Sequence, residues 1–278
     1  MSLCQQTNCD FEWLVVDDGS NDGTNELITS YITENKINIR YIFKENGGLY
    51  TGYNTAYANI STELNMCVDS DDFLPLNAVE LILRKWGTDG SEKYAGIVGL
   101  DFSAKTGLPI GGRFNDDMKE CYFYEFRSKG LHNGDTKQVM RTDLMKKVAP
   151  QIGFQGEKYF NPYYMLLQVC NHYPLLILNE NLCYVDYQDN DSMSADIYRQ
   201  YIQSPKSFIK LRLLELELMH NSFRRRYIVA VHLIAECLLA NNFKTIFSNP
   251  YWVMTSLAFI PGILLYIYIR LKVGGNLS

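Results

Sequence analysis

The feature that most constrains this chain is a pair of acidic clusters, each placed directly after a short apolar run. Residues 11–16 (FEWLVV) are followed by residues 17–20 (DDGS), and residues 64–68 (LNMCV) by residues 69–72 (DSDD). Short apolar runs that end in turn residues are typical of buried strands. Segments with helical spacing lie between these runs, which predicts βαβ units and a parallel sheet. Ligands bind beyond the carboxyl ends of such strands, so both clusters are predicted to lie at a binding edge.

The spacing of apolar residues divides the chain into an α/β part and a helical part. Strands are expected at residues 11–16, 37–43, 64–68 and 94–100, and helices at residues 22–31, 51–60, 76–86 and 163–173. Between residues 101 and 141 the pattern gives way to glycine-containing loops, whereas residues 204–240 have the spacing of a long helix. We therefore expect an α/β domain over residues 1–200 and a helical, membrane-associating region over residues 201–278.

The last apolar stretch suggests contact with a membrane. Residues 251–269 carry no charge and are about long enough to cross a bilayer core, and Arg270 and Lys272 follow them. Aromatic residues mark both ends, as in membrane proteins that place aromatic rings at the headgroup level. The Pro261-Gly262 pair is tolerated in a membrane span but equally divides a segment into two interfacial helices. A third alternative is a helix buried against the domain.

Composition limits the partners and the compartment. The chain has 278 residues and a formal net charge of −5, which argues against a general nucleic-acid binder because such proteins present a basic surface. Its seven cysteines are scattered and form no CxxC pair, which favours a reducing compartment over a disulfide framework. The N-terminus shows no basic stretch followed by an apolar core, so we expect a cytoplasmic protein.

The first cluster suits recognition of a nucleoside. The carboxylates of Asp17 and Asp18 can accept hydrogen bonds from a base N–H and from ribose hydroxyls. Gly19 lets the backbone turn sharply and approach a ligand, and Ser20 or Asp22 can cap the following helix.

The second cluster suits a divalent cation. Asp69, Asp71 and Asp72 place three carboxylates within four residues, and like charges at this spacing repel one another unless a cation or protons intervene. Mg²⁺ or Mn²⁺ prefers oxygen ligands, and a nucleotide diphosphate would complete its shell. Such a cation neutralises the charge that develops on a leaving diphosphate.

Together with residues 46–54 these clusters resemble glycosyltransferase family 2. That family carries "VDDGSxDGT", then "NxGxxxxxN", then "DxDD", and the three pieces stand here in this order and at about these separations. The resemblance implies a GT-A fold, in which a Rossmann-like, mixed but mostly parallel sheet is flanked by helices. It also implies transfer of a sugar, with inversion, from a nucleoside-diphosphate sugar, usually a UDP-sugar. The acceptor would be a glycan or lipid-linked molecule in polysaccharide biosynthesis, at the cytoplasmic face of the membrane.

The resemblance assigns roles to individual residues. It places Asp18 at the uracil, Asp69 or Asp71 at the ribose, and Asp71 or Asp72 at the metal. The full set of expected nucleotide-sugar contacts is Asp17, Asp18, Ser20, Asn46, Gly48, Asn54, Asp69, Ser70 and Asp71, with Asp71 and Asp72 as metal ligands.

Inversion by single displacement also needs a carboxylate that takes the proton from the acceptor hydroxyl. Family members supply it just before a helix in the second half of the domain, which makes Glu157 the candidate catalytic base. Asp135 is the second candidate. The segment from Tyr187 to Ser194 resembles a family loop that closes over the diphosphate.

The sequence departs from the family at two places. Family members begin with a strand of the type "VSVIIPxYN" in the middle of the sheet, and this sequence starts after it. An absent interior strand would leave backbone groups unpaired, so we expect weak stability or replacement of the strand by a partner. In the second motif, Tyr53 stands where an arginine is frequent.

Two alternatives to a glycosyltransferase stay open. A sugar-phosphate nucleotidyltransferase also combines an α/β nucleotide domain with an acidic metal site, but generally has a glycine-rich, basic N-terminal loop that is not visible here. A relative that binds nucleotide or glycan without turnover is favoured by the absent strand and disfavoured by the two acidic clusters.

Overall fold

A computed structural model describes residues 1–186, 197–219 and 222–274. The loop expected from Tyr187 to Ser194 lies outside these residues. The strands are β1 (Glu12–Asp17), β2 (Asn38–Phe43), β3 (Leu64–Met66), β4 (Gly96–Ser103), β5 (Glu120–Cys121), β6 (Thr136–Arg141) and β7 (Leu175–Val185). A 3-10 turn (Ser2–Gln5) precedes the helices α1 (Thr24–Glu34), α2 (Leu49–Asn59), α3 (Ala78–Asp89), α4 (Glu125–Ser128), α5 (Thr142–Val148), α6 (Tyr163–Cys170), α7 (Ile197–Gln203), α8 (Pro205–Leu218), α9 (Phe223–Leu239), α10 (Phe243–Phe247), α11 (Trp252–Leu257) and α12 (Phe259–Gly274).

The strands pair in both parallel and antiparallel fashion, as expected for a mixed sheet. β1 pairs with β2 and β4 with β7 in parallel, as expected from the βαβ alternation. The pairs β3–β6, β4–β6 and β5–β7 are antiparallel. The expected mixed sheet flanked by helices is confirmed. β3, β4 and β7 run in one direction, whereas β6, which follows the loop-rich segment after β4, inserts in the reverse direction between β3 and β4.

Within the described residues, the strand ladder has two separate pieces. One contains β1 and β2, and the other has the order β3-β6-β4-β7-β5. β1 and β3 each have one paired neighbour, so one edge of each carries backbone groups without a ladder partner. Weak stability, and replacement of a strand by a partner, stay predictions.

Helices cover both faces of the five-stranded piece. Neighbouring residues of a strand point to opposite faces. Val98 and Ile177 accordingly pack with residues of α2, α5 and α6, whereas Ile97 and Leu176 pack with residues of α3. The alternation places the sheet between two helical layers and leaves its strand ends free to carry polar groups.

The C-terminal helices pack around α9. Leu233 and Ile234 of this helix are fully buried against α10, α11 and α12. Gly262 of α12 faces Ile234 so closely that an added Cβ would lie 2.5 Å from the Ile234 Cβ. The long helix expected over residues 204–240 is two helices, α8 and α9, and the apolar stretch 251–269 is also divided, into α11 and the first part of α12.

An ion-pair network fixes α8 to α9. Arg212 of α8 donates to the carboxylates of Glu236 at 3.2 Å and Glu215 at 2.6 Å, and to the Tyr201 hydroxyl at 3.0 Å. Burial, together with the neighbouring Glu215, raises the pKa of Glu236 to about 7, although Arg212 counteracts this. Because Arg212 is the cation between two buried acids, the network holds the two helices in one arrangement.

Among the described helices, none combines the length and the apolar character needed to cross a membrane.

Candidate functional site

The first acidic cluster lies in the turn that follows β1. Asp17 is buried, and its carboxylate accepts hydrogen bonds from the Ser20 amide at 2.7 Å and from the Tyr41 hydroxyl at 2.5 Å. Burial raises the pKa of Asp17, but these hydrogen bonds together outweigh burial and leave its pKa lowered. The same contact raises the pKa of Tyr41 to about 12. Asp17 therefore shapes the turn as a carboxylate whose oxygens already have protein partners.

Asp18 holds the start of α2. Its carboxylate accepts hydrogen bonds from the backbone amides of Gly47 at 3.0 Å and Gly48 at 2.9 Å, and the Lys44 ammonium donates to it as well. Successive amides before a helix form a concave anion site, which Asp18 occupies here. Burial raises the pKa of Asp18, but Lys44 and the two amides outweigh burial and leave it lowered.

Gly48 allows a close approach between this turn and the segment before α6. Its φ of +91° is in the left-handed region, and an added Cβ would lie 2.3 Å from the Lys158 carbonyl oxygen. Asn46 connects the same segments, because its amide donates to the Asp18 carbonyl at 2.9 Å and its side-chain oxygen accepts from Lys158 at 2.7 Å. Four predicted site residues, Asp17, Asp18, Asn46 and Gly48, are thus brought together.

Two other predicted contacts lie in different surroundings. Asn54, on α2, both donates to the Gln151 carbonyl at 2.9 Å and accepts from the Gln151 amide at 2.7 Å. This paired contact ties α2 to the segment after α5. Ser20 is exposed, and its backbone amide and its hydroxyl both interact with Asp17.

The second acidic cluster divides into outward and inward carboxylates. Asp69, Ser70 and Asp71 are exposed in the turn after β3. The Asp72 side chain is 5% exposed and forms an ion pair with Lys137 of β6 at 3.5 Å. The Cys183 thiol of β7 also donates to Asp72, at 3.8 Å. Burial is the main reason that the pKa of Asp72 is raised.

A further carboxylate, Asp101 of β4, lies beneath this cluster. It is 3% exposed, and its Oδ1 has no hydrogen-bond partner among the described residues. Burial raises the pKa of Asp101 to about 7, although Lys137 counteracts it and Asp135 adds to it. The pKa of Lys137 is raised in spite of its burial, chiefly by Asp101. One buried ammonium therefore serves two buried carboxylates, Asp72 and Asp101.

Helix α2 connects the two clusters. It starts at the Gly47-Gly48 turn, and Tyr53 on the same helix lies near Cys67 and Asp69. Burial, and then these two neighbours, raise the pKa of the Tyr53 hydroxyl. Tyr53 stands where the family often has an arginine, so the cationic group expected at this position is replaced by a phenol.

Glu157 belongs to the segment before α6, and its side chain reaches the start of α8. One carboxylate oxygen accepts from the Lys206 amide at 3.0 Å, and the other from the amide and hydroxyl of Ser207 at 2.8 and 2.7 Å. A carboxylate at the first turn satisfies amides that lack partners within the helix and interacts favourably with the helix dipole. The structure thus gives Glu157 a capping role, and its role as a base stays a prediction.

A cleft of about 370 Å³ lies between the start of α2 and the segment before α6. It is lined by Gly47 and Tyr50 on the α2 side and by the segment 153–158 on the other. A larger cavity of about 520 Å³ lies between residues 61–63, the end of α3 and the start of α5, and none of the predicted site residues lines it. We favour the smaller cleft as the binding region because it adjoins the first acidic cluster.

The residues around Asp72 were missed by sequence reasoning, although the sequence carries a signal for each. Asp101 ends the apolar run of β4, just as Asp17 and Asp69 follow theirs, and the same rule applied to all strands would have included it. Lys137 is a charged residue in the interior of a short strand, where lysine is rarely buried without a partner.

Substitution of Gly48 tests the close approach at the start of α2. We expect Gly48→Ala to lower the free energy of unfolding by about 2 kcal/mol or more, because alanine is strained at this φ and its Cβ would meet Lys158. Gly52→Ala on the same helix is the control. It has open space around its Cβ position, so alanine should raise the stability by about 0.5 to 1 kcal/mol. Urea unfolding followed by circular dichroism measures both, and equal effects would contradict the close approach.

Comparisons with known proteins agree with this architecture. A 349-residue form of S. aureus TarS, crystallised in complex with UDP-GlcNAc, matches 99% of this chain and 86% of its own, with a TM-score of 0.61 and 16% identity. The mannosyltransferase PcManGT from Pyrobaculum calidifontis, in complex with GDP-Man and Mn²⁺, matches 96% of this chain and 81% of its own, with a TM-score of 0.54 and 16% identity. At these identities the likeness shows the fold, and it confirms the GT-A class.

Curated relatives match over shorter segments. Glycosyltransferase GlyA of Streptococcus pneumoniae is 37% identical over 30% of this chain and 12% of its own length. The teichoic acid poly(glycerol phosphate) polymerase of Staphylococcus epidermidis is 36% identical over 32% of this chain and 13% of its own length. The chain therefore covers about an eighth of the length of these relatives.

The sequence profile of the family described as Glycosyl transferase family 2 matches residues 1–146 of the 278. Because the match extends over more than half of the chain and includes all three motifs, this protein belongs to glycosyl transferase family 2.

Proposed function

We propose that this chain binds a nucleoside-diphosphate sugar, a UDP-sugar in the first instance, and transfers the sugar with inversion to a glycan or lipid-linked acceptor in polysaccharide biosynthesis. The observation that carries the proposal is the arrangement around α2. The helix starts at a turn that adjoins the cleft. Further along the helix, Tyr53 lies near Asp69, in the turn after β3. TarS, which shares the fold, was crystallised with UDP-GlcNAc, and this supports the choice of a uridine nucleotide.

The donor set at the second cluster fits a divalent cation that shares its ligands with a diphosphate. Among the described residues no three His, Cys, Asp or Glu side chains are close enough to enclose a metal. Asp69 and Asp71 are exposed at the strand end, whereas Asp72 is paired with Lys137. Asp71 and Asp69 would therefore hold Mg²⁺ or Mn²⁺, and the earlier assignment of Asp72 to the metal stays a sequence-based prediction. When bound, the cation would neutralise charge on the leaving diphosphate.

The remaining chemistry is a single displacement. A carboxylate takes the proton from the acceptor hydroxyl, the hydroxyl oxygen forms a bond to the anomeric carbon, and the bond to the diphosphate breaks. Glu157 is proposed as the base on its position before a helix, and in that role its carboxylate must release amides of α8. Asp135, which lies close enough to raise the pKa of Asp101, is the alternative.

We propose that the enzyme works at the cytoplasmic face of a membrane, where a lipid-linked acceptor would be presented, and that nucleic acid is not a partner. A nucleotidyltransferase and a non-catalytic nucleotide binder are the competing functions. Transfer of sugar from a UDP-sugar to an acceptor would distinguish the proposed enzyme from both.

Calorimetric titration with UDP tests the donor site. We expect binding that requires Mn²⁺ and is at least tenfold weaker in Asp71→Ala, because Asp71 would help to hold the cation that neutralises the diphosphate charge. Asp117→Ala, which removes an exposed carboxylate from a loop outside the cleft, is the matched control and should bind as the unchanged chain does. A folded sample that binds no UDP with Mn²⁺, or an Asp71→Ala variant with full affinity, would refute the donor site.

The Glu157→Gln and Asp135→Asn variants separate the two candidate bases. If Glu157 is the base, Glu157→Gln lowers kcat by roughly a hundredfold or more, and Asp135→Asn leaves kcat within a few-fold. Glutamine keeps one acceptor oxygen for the start of α8, so the free energy of unfolding should fall by only about 1 kcal/mol. A nearly unchanged kcat in Glu157→Gln, with lowered stability, would restrict Glu157 to its capping role.

A further inference from the structure

The last three helices expose an unusual amount of apolar surface. We define the outer face as the exposed large apolar residues of α10, α11 and α12. Its members are Phe243, Phe247, Trp252, Val253, Leu257, Ile260, Leu264, Ile267, Tyr268 and Leu271, which are between 45% and 71% exposed. Contiguous exposed apolar surface of this kind marks a site of interaction with a protein or a membrane.

The residues of α12 follow a single stripe. Ile260, Leu264, Ile267 and Leu271 are spaced by four, three and four positions, which places them on one side of an α-helix. The buried residues Gly262 and Ile269 lie on the other side, and Gly262 packs against Ile234 of α9. The stripe therefore points away from the helical core.

The two shorter helices extend the same surface. α10 buries Ile246 and α11 buries Met254 in the cluster around α9, so their exposed residues also point away from that helix. The Phe247 and Phe259 rings lie 6.0 Å apart and join α10 to the start of α12. Three helices thus present apolar side chains outward from one supporting helix.

The chain segment that carries the outer face is almost entirely basic, although the exposed Glu217 of α8 lies near Tyr251 at the start of α11. From residue 222 to the C-terminus the sequence contains six lysines and arginines and a single acid, Glu236, which is fully buried. Arg226 lies over the Tyr251 ring at 5.3 Å, and Lys272 lies over the Tyr268 ring at 5.8 Å. Basic groups next to aromatic rings therefore accompany both the start of α11 and the end of α12, although the whole chain has a net charge of −5.

We propose that the outer face docks onto the surface of a membrane that contains anionic lipids, with α10, α11 and α12 lying in the headgroup region. Apolar residues would enter the acyl boundary while lysine and arginine side chains reach the phosphates. The occupant is a lipid surface rather than a second copy of this chain, because pairing the face with itself would bring like charges together. Docking through the outer face does not require the donor site, so failure of the proposed enzymatic function would leave the docking proposal intact.

Co-sedimentation of the full chain with vesicles tests the docking. We expect the chain to pellet with vesicles of phosphatidylcholine and phosphatidylglycerol, and to pellet less as the salt concentration rises. The double substitution Ile260→Glu and Leu264→Glu should weaken this binding at least tenfold, because it puts two carboxylates into the stripe. Leu108→Glu is the control, since Leu108 is 65% exposed and lies far along the chain from the outer face. Circular dichroism and urea unfolding check that each variant remains folded.

Three results would overturn the docking proposal, and a fourth would overturn its preference for anionic lipids. The first is no sedimentation with anionic vesicles. The second is equal loss of binding in the Leu108→Glu control and the double variant. The third is a stable dimer in analytical ultracentrifugation that the double variant converts to monomers, with no vesicle binding, since the face would then be an interface between copies. Equal binding to pure phosphatidylcholine would refute the role of the basic groups.

Discussion

The hydrogen bonds from the Gly47 and Gly48 amides to the Asp18 carboxylate fix the end of β1 to the start of α2. The rest of the site depends on this contact, because no strand pairing among the described residues joins β1 and β2 to the other five strands. Helix α2 bridges the two pieces. Its first turn is held by Asp18, Asn54 is locked to Gln151, and Tyr57 is buried in the main core.

The acidic residues of the site fall into two groups, those whose carboxylates are bonded within the protein and those that are exposed. Asp17, Asp18 and Asp72 have their carboxylates engaged by the protein's own amides, hydroxyls and ammonium groups. These contacts set the shape of the strand ends. Asp69 and Asp71 are exposed after β3, and they are the carboxylates that we propose for a metal-bound nucleotide. Removing the partner of a buried charge is costly, so the Asp72 carboxylate depends on its ion pair with Lys137.

Local sequence patterns predicted the first half of the chain well. Apolar runs ending in acidic residues gave β1 and β3, and the helical spacing gave α1, α2 and α3 within about three residues of their observed bounds. Contacts between distant segments were not predictable in this way. The reversal of β6 depends on sheet packing, and the capping of α8 by Glu157 joins residues 50 positions apart. The sequence offered a break of the last apolar stretch at Pro261-Gly262 as one alternative, but the helix ends earlier, at Ala258, and Pro261 and Gly262 lie in the first turn of α12.

We propose that the outward carboxylates Asp69 and Asp71 hold the metal with the nucleotide, and the sequence-based assignment of Asp72 is the competing prediction. Electron paramagnetic resonance of Mn²⁺ in the presence of UDP tests it most directly, because the signal of free Mn²⁺ reports how much metal is unbound. We expect Asp71→Asn to release Mn²⁺. We expect Asp72→Asn to stay folded and keep Mn²⁺ bound, although its ion pair with Lys137 is lost. Release of Mn²⁺ by a folded Asp72→Asn variant, with binding retained in Asp71→Asn, would contradict the account.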